Sequence, residues 1–334
     1  MKEIPVIVVS GPTASGKTAF AVRLAEALNG EIISVDSRQI FRGMDLGTGK
    51  DLEEYTLPSG KVIPTHLIDI ADPDYPYNLA EFMRDCHKAI REIASRGRQV
   101  ILCGGTALYL DSILRSYTLQ GGAPDAQERL RKRSMSTADL QKMLFQLEPE
   151  SPILKNEPDN RTRIIRRIEQ LQCSPDQALL ESANHPAGDL RYHFLVLGTL
   201  RSRQELHRRI EKRLYERLEL GMLEEAKRLH DQGLTYERME FFGLEYRYMA
   251  LHLQGKLSYE EMCSTLLARI RQFAKRQDSW FRNMERNGIG IYWFPPEDTA
   301  PALALAEKFL AGMPLEEPAF KLSETFYGKV CDRT

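Results

Sequence analysis

"VVSGPTASGKTAF", residues 8–20, decides how the rest of this 334-residue chain is read. The apolar run PVIVVS leads into it, and the amphipathic run KTAFAVRLAEALN leaves it and stops at Gly30. Between them, Gly11-Pro12-Thr13-Ala14-Ser15-Gly16-Lys17-Thr18 meets the pattern G-x-x-x-x-G-K-[ST] at every fixed position. Its glycines let backbone N–H groups wrap phosphate oxygens with no Cβ in the way. Lys17 adds a point charge, Thr18 a hydroxyl suited to Mg²⁺, and the following helix a favourable dipole. A chain of this length shows the pattern by accident about once in a hundred cases, and an accident would not also set it between a strand and a helix. The stretch is a polyphosphate-binding loop, which leaves open what the phosphates are attached to.

Outward from the loop, strand and helix alternate. EIISVDS (31–37) reads as a second strand and THLIDI (65–70) as a third. The run from Asn78 to Gly97 has the spacing of a long helix capped by Asn78, and QVILCGGT (99–106) is a further buried strand opening into ALYLDSILRSY. Such alternation predicts a doubly wound parallel sheet with ligands at the carboxyl ends of its strands. From about Gln120 to Gln172 the chain is charged and helical, and YHFLVLGT (192–199) returns it to the sheet. Helices are expected over 202–218, 219–232, 243–254, 258–283 and about 299–311, with IYWF (291–294) as a last short strand. The division expected is a catalytic core of 1–119 and 191–312, a helical insertion of 120–190, and a tail of 313–334 whose weak periodicity suggests poor order.

Composition narrows the class. Lys and Arg number 46 against 47 Asp and Glu, so any nucleic-acid binding has to come from local patches. Five scattered cysteines, Cys86, Cys103, Cys173, Cys263 and Cys331, form no CxxC pair, which argues against structural zinc or a disulfide framework and suits a reducing cytosol. The apolar run at Ile4–Val9 is too short for a signal or membrane segment, and no membrane partner is expected. Basic clusters at Arg129–Arg133, Arg161–Arg167, Arg208–Arg217 and Arg269–Arg276 suggest phosphate-tracking surfaces. The competing reading is a set of solvated helix faces laced by pairs such as Glu205–Arg209. Tyr246, Tyr248, Trp280 and Phe281 read as packing aromatics. Of two acidic candidates beside the phosphate crevice, Asp36 ends the strand that follows the loop helix and can serve as metal contact or general base. Asp69 is evenly balanced between the site and a turn.

Several stretches together resemble one family, the tRNA dimethylallyltransferases of bacterial type. They are GPTASGKT, EIISVDSRQIFRGMDLGTGK, HLIDIADPDYPYNLAEF, GGTALYL, NRTRIIRRIE and RQFAKRQDSWFRN, in the family's order over nearly all of residues 5–283. The resemblance implies an α/β core like that of P-loop NTPases, a parallel sheet flanked by helices, with a mainly helical insertion. It implies transfer of a C5 prenyl group from dimethylallyl diphosphate to N6 of an adenosine beside the anticodon of tRNA, by a cytoplasmic enzyme expected to act as a monomer. Gly11 to Thr18 would then hold the diphosphate of an isoprenoid, with Mg²⁺ on Thr18 and with Arg209 and Arg213, one helical turn apart, reaching the same group. Asp36 matches the general base and Thr106 the residue that helps place the amine. Asp36, Ser37, Arg38, Gln39 and Thr106 fall where the family contacts the target nucleotides, Thr162, Arg163, Ile164, Ile165 and Arg166 align with another tRNA-contacting stretch, and Arg129 is the insertion's candidate.

The chain departs from the family pattern at Arg38, at GTGKD where GTAKP is frequent, and at Asp278 where apolar residues are common. No zinc-finger extension of the eukaryotic type is seen. Three rivals stay open at this point: an ATP-dependent small-molecule kinase, an adenylate isopentenyltransferase acting on free nucleotide, and an RNA-binding protein that uses the loop as a switch.

Overall fold

The computed structural model describes residues 3–115, 126–172 and 191–325. Six parallel strands form its sheet: β1 (Ile4–Ser10), β2 (Gly30–Ser34), β3 (Thr65–His66), β4 (Gln99–Gly104), β5 (Tyr192–Thr199) and β6 (Ile291–Phe294), in the order β3-β2-β4-β1-β5-β6. β1 sits between β4 and β5, with Ser10 level with Gly104 on one side and Gly198 on the other. Consecutive strands β1 and β2 are thus separated by β4, and the crevice outside the carboxyl ends is where such sheets take ligands.

The strands are apolar on both faces because both faces are covered. Ile7, Val9, Ile32, Ile101, Leu195 and Leu197 pack with Phe20 and Leu24 of α1 (Lys17–Ala27) and with Phe309 near the chain's end. Val6, Val8, Val100 and Leu102 are equally buried, and α2 (Leu79–Ser95) packs on β2 and β4. The Asn78 side chain accepts from the backbone N–H groups of Ala80 and Glu81, and Glu81 reaches back to Asn78, a complete capping box. THLIDI, expected as a strand throughout, pairs with β2 only at Thr65 and His66. Leu67 and Asp69 turn into left-handed backbone and end the ladder. α3 (Ala107–Leu114) leaves β4, while Ser116 and Tyr117, expected to extend it, lie outside the described residues.

The chain divides into two compact units, Ser116–Gly188 and the remainder. The smaller holds α4 (Ala126–Ser134), α5 (Thr137–Leu147), α6 (Pro152–Asn156) and α7 (Arg161–Gln172), whose core is Leu140, Leu144, Ile164, Ile165 and Ile168. In the larger, β5 is followed by α8 (Arg203–Glu219), α9 (Met222–Asp231), α10 (Tyr236–Phe241), α11 (Leu244–Leu253) and the 28-residue α12 (Tyr259–Arg286). α13 (Ala300–Leu310) follows β6. Tyr246 and Phe281 are core residues, as their aromatic character suggests. Past Pro314 the structure differs from expectation. Leu322 is buried, and Glu285 of α12 accepts from the backbone of Leu322 at 3.1 Å and Ser323 at 2.5 Å, so a helix carboxylate and one apolar anchor hold a segment that lacks periodicity. Residues 326–334 of the expected tail, with Cys173 and Cys331, lie outside the described residues.

Candidate active site

The phosphate loop leaves β1 as a tight turn, with Ser15 N–H donating to the Pro12 carbonyl at 3.2 Å. Distant elements grip it. Ser15 and Thr199 share a hydroxyl hydrogen bond of 2.7 Å, Arg201 Nε donates to the Ser15 carbonyl at 3.0 Å, and Arg209 Nε to the Ala14 carbonyl at 3.1 Å. Thr13 N–H donates to Gln277 Oε1 on α12 at 2.8 Å. In front of the loop lies a cavity of about 310 Å³. Lys17 and Thr18 line it from α1, Arg209, Lys212 and Arg213 from α8, and Asp51 and Glu54 from the segment after GTGK. Burial pushes the Lys17 ammonium below its ordinary lysine value, with Asp36 among the charges that oppose the shift. Burial alone would raise Asp51, but Arg213 and Arg217 hold its carboxyl below the usual range.

Asp36 and Thr106 come together beside the phosphate loop because two strand ends lie unusually close. A Cβ on Gly104 would stand 2.1 Å from the Val35 carbonyl oxygen, so only glycine permits this approach. Thr106 N–H then donates to that carbonyl at 3.3 Å, and Thr106 Oγ1 accepts from Ser37 N–H at 3.1 Å. Asp36 Oδ1 accepts from Arg38 N–H at 2.8 Å, an Asx turn that fixes the carboxylate. Gln277 completes the frame, since its Nε2 donates to the Gly105 carbonyl at 3.2 Å while its Oε1 holds the phosphate loop. Sequence reading passed over Gln277, one of three side-chain amides in the basic stretch RQFAKRQDSWFRN, which only its burial sets apart from Gln272 and Asn283.

A phosphate loop beside a fixed carboxylate and threonine is common to more than one class of enzyme, and comparison with known proteins separates them. The family model described as IPP transferase matches residues 39–284, and that described as isopentenyl transferase matches residues 4–63. The chain belongs to the IPP transferase family. A protein of Syntrophus aciditrophicus named tRNA dimethylallyltransferase 1 is 46% identical over 294 residues, 87% of this chain and 94% of that protein. The crystal structure of the full-length tRNA isopentenylpyrophosphate transferase of Bacillus halodurans superposes with a TM-score of 0.64 at 34% identity, covering 93% of this chain and 96% of that one. A eukaryotic dimethylallyltransferase, captured in crystallographic snapshots acting on tRNA, superposes with a TM-score of 0.77 at 26% identity, covering 94% and 81%.

Within this IPP transferase frame the remaining sequence candidates fall into distinct places. Arg209 and Arg213 both reach the cavity, Arg213 through the Gly49 carbonyl at 3.4 Å and an ion pair with Asp51. Glu205 pairs instead with Arg208 at 2.9 Å, so the expected Glu205–Arg209 surface pair does not form and Arg209 turns inward. Asp69 belongs to the structure of a turn: with Asp45 and the Phe41 carbonyl it holds the fully buried ammonium of Lys50. Gln39 is engaged internally, accepting from Ser34 Oγ at 2.8 Å and donating to the Gly49 carbonyl at 3.0 Å. Arg38 lies over the Phe241 ring at 5.5 Å, and burial lowers its pKa against the pull of Asp36.

Sequence reading also missed Glu225. Its buried carboxylate accepts from the backbone N–H groups of Asp45, Leu46 and Gly47 at 2.9–3.0 Å and from Tyr246 Oη at 2.5 Å, and so fixes the loop that leads to Gly49 and Asp51. In the insertion, Ile164 and Ile165, expected in a tRNA-contacting stretch, are buried core residues, a consequence of their spacing on the apolar face of α7. Thr162 and Arg163 beside them are exposed. Arg129 is held by Glu169 at 2.6–2.8 Å, Arg166 lies 3.7 Å from the same carboxylate, and Arg163 pairs with Glu157. Much of the insertion's basic character is therefore neutralised locally.

Proposed function

We propose that this IPP transferase moves a dimethylallyl group from dimethylallyl diphosphate to the N6 amine of an adenosine next to the anticodon of tRNA. The observation that supports it most directly is the placement of Asp36 and Thr106 together beside the phosphate loop, with Gln277 joining the Gly105 carbonyl next to Thr106 to the Thr13 amide of the loop. The relatives' activities, as their names give them, call for such a pairing of anion site and base. In this reading Gly11 to Thr18, with Arg209 and Arg213, bind the donor's diphosphate, and the loop recognises phosphate oxygens without regard to the group they carry.

The amine nitrogen attacks C1 of the dimethylallyl group as the C1–oxygen bond breaks. The bonding electrons leave with diphosphate, and the N6 proton passes to Asp36. Thr106 orients the amine. Lys17, Arg209 and Arg213 offset the charge that develops on the leaving group, in a partly desolvated cavity where such contacts are strong. The target base has to be turned out of its stack to reach Asp36. Arg38, Ser37 and the exposed Thr162 and Arg163 are the candidates for RNA contact. Mg²⁺ fits this site. Thr18 lines the cavity, and among the described residues no group of three or more His, Cys, Asp or Glu forms a protein-only cage, as suits an ion that takes most of its ligands from water and phosphate. When bound, it would neutralise charge on the diphosphate.

The test is direct. Protein, Mg²⁺ and dimethylallyl diphosphate are mixed, without ATP, with an unmodified anticodon stem-loop, and the RNA mass is followed. The expected result is a gain of one C5 unit that is lost with Asp36→Asn. Prenylation of AMP or ATP alone would move the protein to the free-nucleotide class, and phosphoryl transfer from ATP without prenyl transfer would make it a kinase.

A further inference from the structure

α8 brings a third guanidinium to the cavity that Arg209 and Arg213 reach. Arg217 lies one more turn along the helix and lines the cavity with Lys17, Thr18 and Arg213. Its side chain is 12% exposed, and its Nη2 donates to both oxygens of Asp51 at 2.9 Å. Its Nε is buried and has no hydrogen-bond partner. A guanidinium offers five N–H donors in a rigid fork, and leaving a buried donor unpaired is costly.

Two further observations say what would complete it. The backbone has been cleared for this side chain: at Gly49, with φ +66°, a Cβ would fall 2.2 Å from Arg217 Nη2. Among the described residues Asp51 is the carboxylate that forms ion pairs with both Arg213 and Arg217, with the buried Glu245 acting on the same two groups from farther off. Along the whole lining, Lys17, Arg209, Lys212, Arg213 and Arg217 outnumber Asp51, Glu54 and Glu216. The complement to this excess is a polyanion with oxygens in the geometry that a guanidinium fork prefers.

We infer that Arg217 is a third arginine of the diphosphate site, with Asp51 as the counter-charge that orients it. This rests on the reading of the cavity as a diphosphate site. A phosphate oxygen that takes the Nε–H would engage the fork on its free edge while Asp51 holds the other. Arg217 thereby joins affinity for the donor to the position of the GTGKD segment.

The experiment is a calorimetric titration of the full chain with inorganic pyrophosphate and Mg²⁺. Arg217→Met is expected to weaken binding about tenfold to a hundredfold, the effect of losing a charge-assisted hydrogen bond. Arg217→Lys, which keeps the charge without the fork, falls between. The KM for dimethylallyl diphosphate rises in parallel, while stem-loop affinity changes little. In the unmutated protein, the Nε–H resonance of Arg217, assigned by its loss in Arg217→Lys, shifts on saturation with pyrophosphate, a readout that does not depend on how a variant folds. Pyrophosphate affinity within twofold of wild type in a folded Arg217→Met protein, or an Nε–H signal that stays in place, overturns the assignment and leaves the diphosphate reading standing. Failure of the wild type itself to bind pyrophosphate or donor removes that reading and the role of Arg217 with it.

Discussion

Replacing Gln277 by leucine tests the frame of the site. The side chain is buried and makes two contacts, accepting from Thr13 N–H at 2.8 Å and donating to the Gly105 carbonyl at 3.2 Å. Leucine leaves both backbone groups in place without partners, at about 1–3 kcal/mol each, and recovers about 1–2 kcal/mol by its own burial. The net cost is about 3 kcal/mol. At roughly 1.5–2 °C per kcal/mol for a protein of this size, Tm falls by about 4–6 °C. Because one of the two contacts shapes the phosphate loop, pyrophosphate affinity falls as well, by about tenfold. Gln277→Glu separates the two effects. A carboxylate still accepts from Thr13 N–H but cannot donate to Gly105, and it places negative charge beside the loop. It is therefore expected to lose more pyrophosphate affinity than Gln277→Leu for a similar or smaller drop in Tm. Calorimetric titration and thermal melts of the three proteins decide the matter. A leucine variant with wild-type Tm and wild-type pyrophosphate affinity refutes the bridging role.

Three other outcomes follow from the same geometry. Asp36→Asn keeps the acceptor for Arg38 N–H and so the Asx turn, but it removes the base: turnover falls by about a hundredfold or more with stem-loop affinity retained, as single-turnover rates and binding curves would show. Equal loss of both would count against the assignment. Glu225→Ala strands three backbone donors and the Tyr246 hydroxyl, at about 3–5 kcal/mol in denaturant unfolding, whereas Tyr246→Phe costs about 1 kcal/mol. In the insertion, the two hydrogen bonds from Arg167 hold Glu148 down to about 2, so its contribution is complete above the ordinary carboxylate pKa and is lost as pH falls through about 2. Glu148→Gln should abolish that dependence in acid unfolding monitored on the insertion, and an unchanged acid limb would show that the pair contributes nothing.

What the sequence revealed was local in range. The phosphate loop, the strand endings at Asp36 and Thr106, the Asn78 cap and the Arg209–Arg213 spacing are each written within a few residues. Gln277 lies 264 residues from Thr13 and Glu225 lies 180 from Asp45, and no periodicity marks a partner at such a distance. Asp69 stood evenly balanced between the site and a turn, because the burial of Lys50 that decides it depends on acceptors from three separate places. Arg217 is a different case. It follows Arg213 by the same four-residue step that joined Arg213 to Arg209, and the rule that found the first two needed only one more turn. Ile164 and Ile165 illustrate the reverse error, since a stretch carried over whole from a family pattern includes the residues that hold its helix in place as well as those that face outward.

The grip of the later helices on the early loops has a consequence for how this enzyme can change. Gln277, Arg201, Arg209 and Glu225 all hold main-chain atoms, the amides of Thr13 and of Asp45 to Gly47 and the carbonyls of Ala14, Ser15 and Gly105. A clasp on the main chain is indifferent to the side chain it passes, so loop identity can drift over generations while loop shape is inherited from elsewhere. The same dependence makes the N-terminal part an heir without its estate: a fragment ending at Arg115 would carry Lys17, Asp36 and Thr106 and lack Gln277, Arg201, Arg209 and Glu225, which hold the loops around them.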